Sequence, residues 1–229
     1  MTNWAIFLTA AQAPPKTLNR ALLYMHDFEN SPFPPDYGWI LLSSKTLPSK
    51  AKARRPTRVP ITPAISASEF AGMSLAQVNA FVRANSTALE KIDVSVADWA
   101  VLDQKGLETS TCLVCEQVYD GGEEGADEGR MTDEFRACRI PYEKAWGMIA
   151  NLDISNMDFE DFIDQDAGEQ EDGSWLYSST PEDDENDGGD GDGGDAPGDE
   201  DNPGDEEDEG TGIKREAIYE MLKAGNHVD

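Results

Sequence analysis

Histidine, cysteine and long apolar runs are what this 229-residue sequence has least of, and each shortage closes off a class of function. There are two histidines, His26 and His227, the second close to the C-terminus. A His-based zinc site or a catalytic triad is therefore poorly supplied, and His26 reads as a helix-end residue. Three cysteines (Cys112, Cys115 and Cys138) are few and odd in number for a chain this long. That argues against a disulfide framework and for a reducing compartment, cytoplasmic or nuclear. No apolar run approaches the roughly 20 residues that a membrane span needs. The stretch Trp4 to Ala11 lacks a positive flank and is too short for a signal peptide, although Ala11-Gln12-Ala13 imitates a cleavage site. Neither G-x-x-x-x-G-K-[ST] nor a G-x-G-x-x-G behind the first strand is present, so neither familiar nucleotide-binding device is expected.

Positive charge is missing from one whole segment. Residues 181–210 hold 16 Asp or Glu and no Lys or Arg, and Ala196 is their only apolar side chain apart from prolines. Such a stretch cannot bury enough apolar surface to offset its ordering entropy, which predicts a disordered acidic tail over 179–211. The net charge of the chain is −28, yet residues 1–95 come out at +4. Acidity belongs to the later half of the domain and to the tail. The remaining chain has enough Leu, Ile, Val, Phe and Trp for one core over residues 1–178.

The apolar pattern predicts an α/β domain with a mixed sheet of about five strands. Asn3 to Thr9 reads as a buried strand. After Pro14 and Pro15, Leu18, Ala21, Leu22 and Met25 recur at helical spacing, with Thr17 as a candidate cap. Trp39 to Leu42 is a second strand, and the three elements suggest a parallel βαβ start. Residues 45–63 read as a basic loop. Ser74 opens a second helix carrying Leu75, Val78, Phe81 and Val82. Strands follow at Asp98 to Asp103, Thr111 to Tyr119 and Glu134 to Ile140, the last two joined as an antiparallel hairpin by the acidic run Asp120 to Arg130. Pro141 can open a short helix through Ile149, burying Ala145 and Trp146. Turn and short helix are expected over Asn151 to Ile163, with Met157, Phe159 and Phe162 packed. Ile213, Ala217, Met221 and Leu222 outline a C-terminal amphipathic helix over 212–225.

Few motifs carry chemistry. Cys112 and Cys115 spell C-x-x-C, but inside a strand residues three apart face opposite sides and cannot share a metal or a disulfide. Asp161, Asp164 and Asp166, and again Asp190, Asp192 and Asp195, lack the ligand spacing of an EF-hand. No metal or cofactor site is expected. Parallel strand ends should present Thr9, Ser43, Ser44 and Asp103, where ligands of open α/β sheets bind and where turn formers also gather. The basic loop has no aromatic residues, and the anionic tail would repel a duplex, so nucleic acid is not an expected partner. Loop and tail carry opposite charge and can attract each other within one molecule.

The segment Phe135 to Phe162 contains N-L-x-I-x-N-M-D-F-x-x-F at Asn151, Leu152, Ile154, Asn156, Met157, Asp158, Phe159 and Phe162. In this it resembles an uncharacterised domain family with bacterial and fungal members, over roughly residues 1–178. The resemblance implies a shared fold and no particular reaction. Asn151, Asn156 and Asp158, with Phe159 and Phe162, are either an interaction surface or turn residues that cap backbone groups. Two functional readings follow. One is a non-enzymatic protein-interaction module whose acidic face and tail meet a basic partner. The other is an enzyme using a carboxylate such as Asp103 or Asp158 in a strand-end cleft.

Overall fold

The computed structural model describes residues 2–26, 38–53, 55–62, 65, 67–120, 129–178 and 215–229. The acidic run 179–211 expected as a tail, the first residues of the C-terminal segment and most of the hairpin loop lie outside them.

The sheet has six strands: β1 (Asn3–Leu8), β2 (Trp39–Leu42), β3 (Val94–Leu102), β4 (Thr111–Tyr119), β5 (Met131–Pro141) and β6 (Trp175–Leu176), in the spatial order β2-β1-β3-β4-β5-β6. β1 is parallel to both of its neighbours, β3, β4 and β5 run antiparallel in turn, and β6 lies parallel to β5. All six residues of β1 are buried, which explains why it reads as a continuous apolar run and does not alternate. Its even positions Trp4, Ile6 and Leu8 face α1 (Pro15–Tyr24) and α6 (Tyr142–Asp153), whereas Ala5 and Phe7 face α3 (Leu75–Ala84) and α4 (Ser86–Lys91). Two cores thus sit on opposite faces of one sheet. Trp4 meets Trp39 of β2 and Trp146 of α6 at ring-centroid distances of 5.7 and 5.2 Å.

Several elements begin and end as the sequence predicts, and some do not. β2 and β4 have the expected bounds. α1 starts at Pro15, whose fixed φ suits the first helical position, so Thr17 lies inside the first turn and no side chain caps the helix. α3 is opened by a capping box: Ser74 Oγ accepts the Gln77 N–H at 3.3 Å and Gln77 Oε1 accepts the Ser74 N–H at 2.9 Å. The basic segment is not wholly loop, since Lys50–Ala53 forms a short helix, α2. α5 (Gln104–Thr109) separates β3 from β4 and is closed by Ser110 in the left-handed region, at φ 57°. Pro141 ends β5 and stands just before α6, which continues beyond Ile149 to Asp153.

Both sheet edges are closed locally, which blunts edge-to-edge pairing. Thr57 covers β2, donating its N–H to Trp39 O and accepting the Leu41 N–H on Oγ1, both at 2.8 Å. At the other edge the Asp164 N–H donates to Leu176 O at 2.8 Å. The C-terminal helix α7 (Arg215–Ala224) lies on α1. Its buried face is Ile218 and Leu222, joined by Val228 against Leu23 and Val59, while Met221 is 59% exposed. The face expected from Ala217 and Met221 is therefore turned outward. Asn19 ties this helix to the domain, donating to His227 O at 2.9 Å and accepting the Ile61 N–H at 2.8 Å. Among the described residues no helix is long and apolar enough to cross a membrane.

Candidate functional site

The turn after α6 is built from short side chains that satisfy backbone groups. Asn151 donates from Nδ2 to Gly147 O at 2.7 Å, and Asn156 donates to Asn151 Oδ1 at 2.6 Å. The backbone closes in parallel, with the Asn156 N–H on Asn151 O at 2.9 Å and Ser155 in the left-handed region at φ 53°. The Asp158 N–H then donates to the Asp161 carboxylate at 2.9 Å, opening the 3-10 turn η1 (Phe159–Phe162). Phe159 and Phe162 point into the core, and Phe159 supports the Arg136 guanidinium at 4.9 Å from its ring centroid. Arg136 pairs with Glu116 (Nε to Oε2, 2.9 Å) and with Glu160.

What this bracing leaves outside is apolar. Ile154 is 71% exposed and Met157, expected in the core, is 36% exposed. Their neighbours in sequence include the exposed carboxylates of Asp153, Asp158, Glu160 and Asp161. No Lys or Arg occurs between residues 145 and 178, and Arg136 of β5 reaches this group from outside it, on Glu160. Asn151, Asn156 and Asp158 are brought together in one turn, with Phe159 and Phe162 anchoring it from below.

Behind this turn runs a row of charge across the sheet. Asp98 of β3 is in register with Glu116 of β4, and Glu116 with Arg136 of β5. Asp98 lies in a wide irregularity: two steps along β1, Asn3 to Ala5, match five along β3, Val94 to Trp99. Its own N–H donates to Ser95 Oγ at 3.2 Å. Asp98 is only 2% exposed. Burial first, and then the charges of Glu116 and Asp153, push its carboxyl up to about 8. Burial also raises the Glu116 carboxyl, against the opposing pull of Arg136.

The strand ends are occupied differently. Asp103 Oδ1 accepts the Gly106 N–H at 2.7 Å and so caps α5. The same carboxylate takes both terminal nitrogens of Arg139, at 3.1 and 2.6 Å. Arg139 is almost fully buried and lies 3.8 Å from Asp172 as well. Ser44 Oγ donates to Glu69 at 2.7 Å, Glu69 N–H donates to Ser43 O, and Thr9 Oγ1 donates to Leu102 O at 3.5 Å. Each strand-end group is thus engaged in local structure, and Asp103 is the keystone of an ion pair. Cys112 and Cys115 face opposite cores, as strand geometry requires. Burial pushes both thiols far up and Cys138 up to about 12. All three are free and buried. His26 is buried beside Trp146 at the end of α1. No group of three or more His, Cys, Asp or Glu side chains among the described residues is placed to hold a metal ion.

The sequence pattern singled out none of Asp98, Arg136 and Arg139. Glu116 and Arg136 become a pair only once the β4–β5 register is known. The early part of β3, Val94 to Ala97, is hidden because its irregularity breaks the alternation. No curated protein and no solved structure matches the chain. The model of a domain of unknown function, DUF6924, matches residues 43–174, more than half of the sequence and the whole of the turn described above. The chain belongs to the DUF6924 family.

Proposed function

We propose that this protein is a non-enzymatic interaction module that engages a basic partner through the face formed by α6, η1 and the turn between them. One observation carries the reading: Ile154 and Met157 stay exposed on a hydrogen-bonded turn whose neighbours in sequence are the exposed carboxylates of Asp153, Asp158, Glu160 and Asp161, of which Glu160 pairs with Arg136. Apolar side chains held out of the core are anchors when a partner covers them, and surrounding charge selects and steers that partner. The acidic run 179–211 adds to the same field and acts as a tether between the α/β domain and α7. The three free cysteines suit action in the cytoplasm or nucleus.

Affinity capture with the full chain, repeated with Ile154→Asp/Met157→Asp and with the tail deleted, tests this. The captured partner should be basic, and the double substitution should abolish its retention. On the purified pair, tail deletion should slow association and leave dissociation nearly unchanged. Retention that ignores both the double substitution and added salt would refute the proposal.

A further inference from the structure

A stretch rich in Lys and Arg precedes the acidic half of the sequence. From Gly38 to Ser68 there is no Asp or Glu. Within this stretch a groove of about 560 Å3 runs beside β2, lined by Leu41, Leu47, Ser49, Lys52 and Arg55 among others. Lys50 is paired with Asp93 at 3.0 Å, whereas the exposed Lys52, Arg55 and Arg58 make no ion pair with any described residue. Because Thr57 already occupies the outward backbone groups of β2, the groove offers hydroxyls and cations and not a strand ladder. Its occupant is recognised by negative charge, not by β-pairing.

The course of the chain says which occupant. It leaves the described structure after Ser178, whose N–H donates to Phe162 O at 2.9 Å, and returns at Arg215. Arg215 lies 5.6 Å from the Tyr24 ring centroid and its Nη2 reaches His26 O at 3.5 Å. The helix that follows packs on Leu23 and on Val59, the neighbour of Arg58. The last acid of the run, Glu209, is six residues before Arg215, so at most roughly 20 Å of chain separates it from this anchor. Both ends of a 16-carboxylate segment are held on the same domain as the groove, which gives it an effective concentration no free peptide matches.

We propose that the acidic run 181–210 occupies the basic groove beside β2 of its own chain, with Lys52 and Arg55 as its ion-pair partners. Docked there, the run is withheld from other basic surfaces until one competes for it. Only this last consequence rests on the function proposed above.

Zero-length carbodiimide cross-linking of the full natural chain, read by peptide mass spectrometry, tests the contact without any partner present. Amides from Lys52 to Asp or Glu within 181–210 should form within single molecules, at least ten-fold more often than from Lys105 or Lys144. They should fall at least five-fold in 0.5 M salt, where screening acts within about 4 Å, and equally with Arg55→Glu. Equal yields from Lys52, Lys105 and Lys144, insensitivity to salt and to Arg55→Glu, or amides found only between isotopically distinguishable chains would each overturn the proposal. Failure here leaves partner capture through Ile154 and Met157 untouched, and the converse holds.

Discussion

Replacing Asp98 by asparagine should stabilise the protein, and by an amount that grows with pH. An unfolded Asp titrates near 3.9, while the native Asp98 carboxyl, buried and facing Glu116 and Asp153, is held up to about 8. The native state therefore binds the proton more tightly than the unfolded state. The group's contribution to stability is fully present below the unfolded value and is lost progressively as pH rises toward the native one. Each unit of difference corresponds to about 1.4 kcal/mol, so the loss reaches about 4 kcal/mol at pH 7 and levels off at about 6 kcal/mol well above pH 8. Asparagine cannot ionise in either state and escapes the loss. Urea unfolding of both proteins from pH 4 to 9 at fixed salt measures the difference, and the many surface carboxylates, common to both, cancel in it. Near pH 4 the two proteins should lie within about 1 kcal/mol. The gap should then open with the slope given above and flatten past pH 8.5. A gap that stays constant with pH would refute the reasoning, because it would mean that Asp98 titrates as an ordinary solvated carboxylate.

Other outcomes follow from single contacts. Arg139→Met should cost about 3 kcal/mol in urea unfolding by stranding Asp103, and adding Asp103→Asn, which keeps an acceptor for the Gly106 N–H, should return part of the loss. A Cβ on Gly106 would stand 2.3 Å from Thr111 O, so Gly106→Ala should lower stability by about 2–3 kcal/mol and an unchanged midpoint would contradict the packing. Asn19→Ala removes both bonds that join the C-terminus and the Ile61 segment, and hydrogen exchange should show α7 losing protection before the sheet does. None of the three cysteines should react with a disulfide reagent in the native protein, and all three should react in denaturant, since each is buried as a neutral thiol.

Where local pattern and tertiary burial agree, the sequence is legible. β2 is a continuous apolar run ended by turn residues, β4 has an apolar stretch from Cys112 to Cys115 at its heart, and Ser74 marks the start of α3. Legibility fails where a distant contact decides. α7 offers two plausible apolar stripes, and only the docking of Ile218 and Leu222 on Leu23 and Val59 selects between them. β6 is two residues long and exists because β5 lies beside it. Met157 looks like core by composition, yet the two asparagines fold the turn so that Phe159 goes in and Met157 stays out. Asp103 reads as a strand-end candidate, but its bond to Arg139 spans 36 positions and no local pattern announces it. The candidate turn was visible as a motif, whereas the buried acid behind it was not, because a charged residue within a strand normally signals a solvent face.

The place of β1 between β2 and β3 bears on how the molecule can be divided. The family match begins at residue 43, one position after β2 ends. A fragment cut at that boundary would keep β3 to β6 but lose the strand against which β3 pairs, together with Trp4, His26 and Trp39, whose rings lie against Trp146. Its inner edge would be a bare row of amide and carbonyl groups beside an opened aromatic core, a template for aggregation. A fragment meant to stay soluble should therefore begin upstream of Asn3, so that β1 and its aromatic contacts are kept.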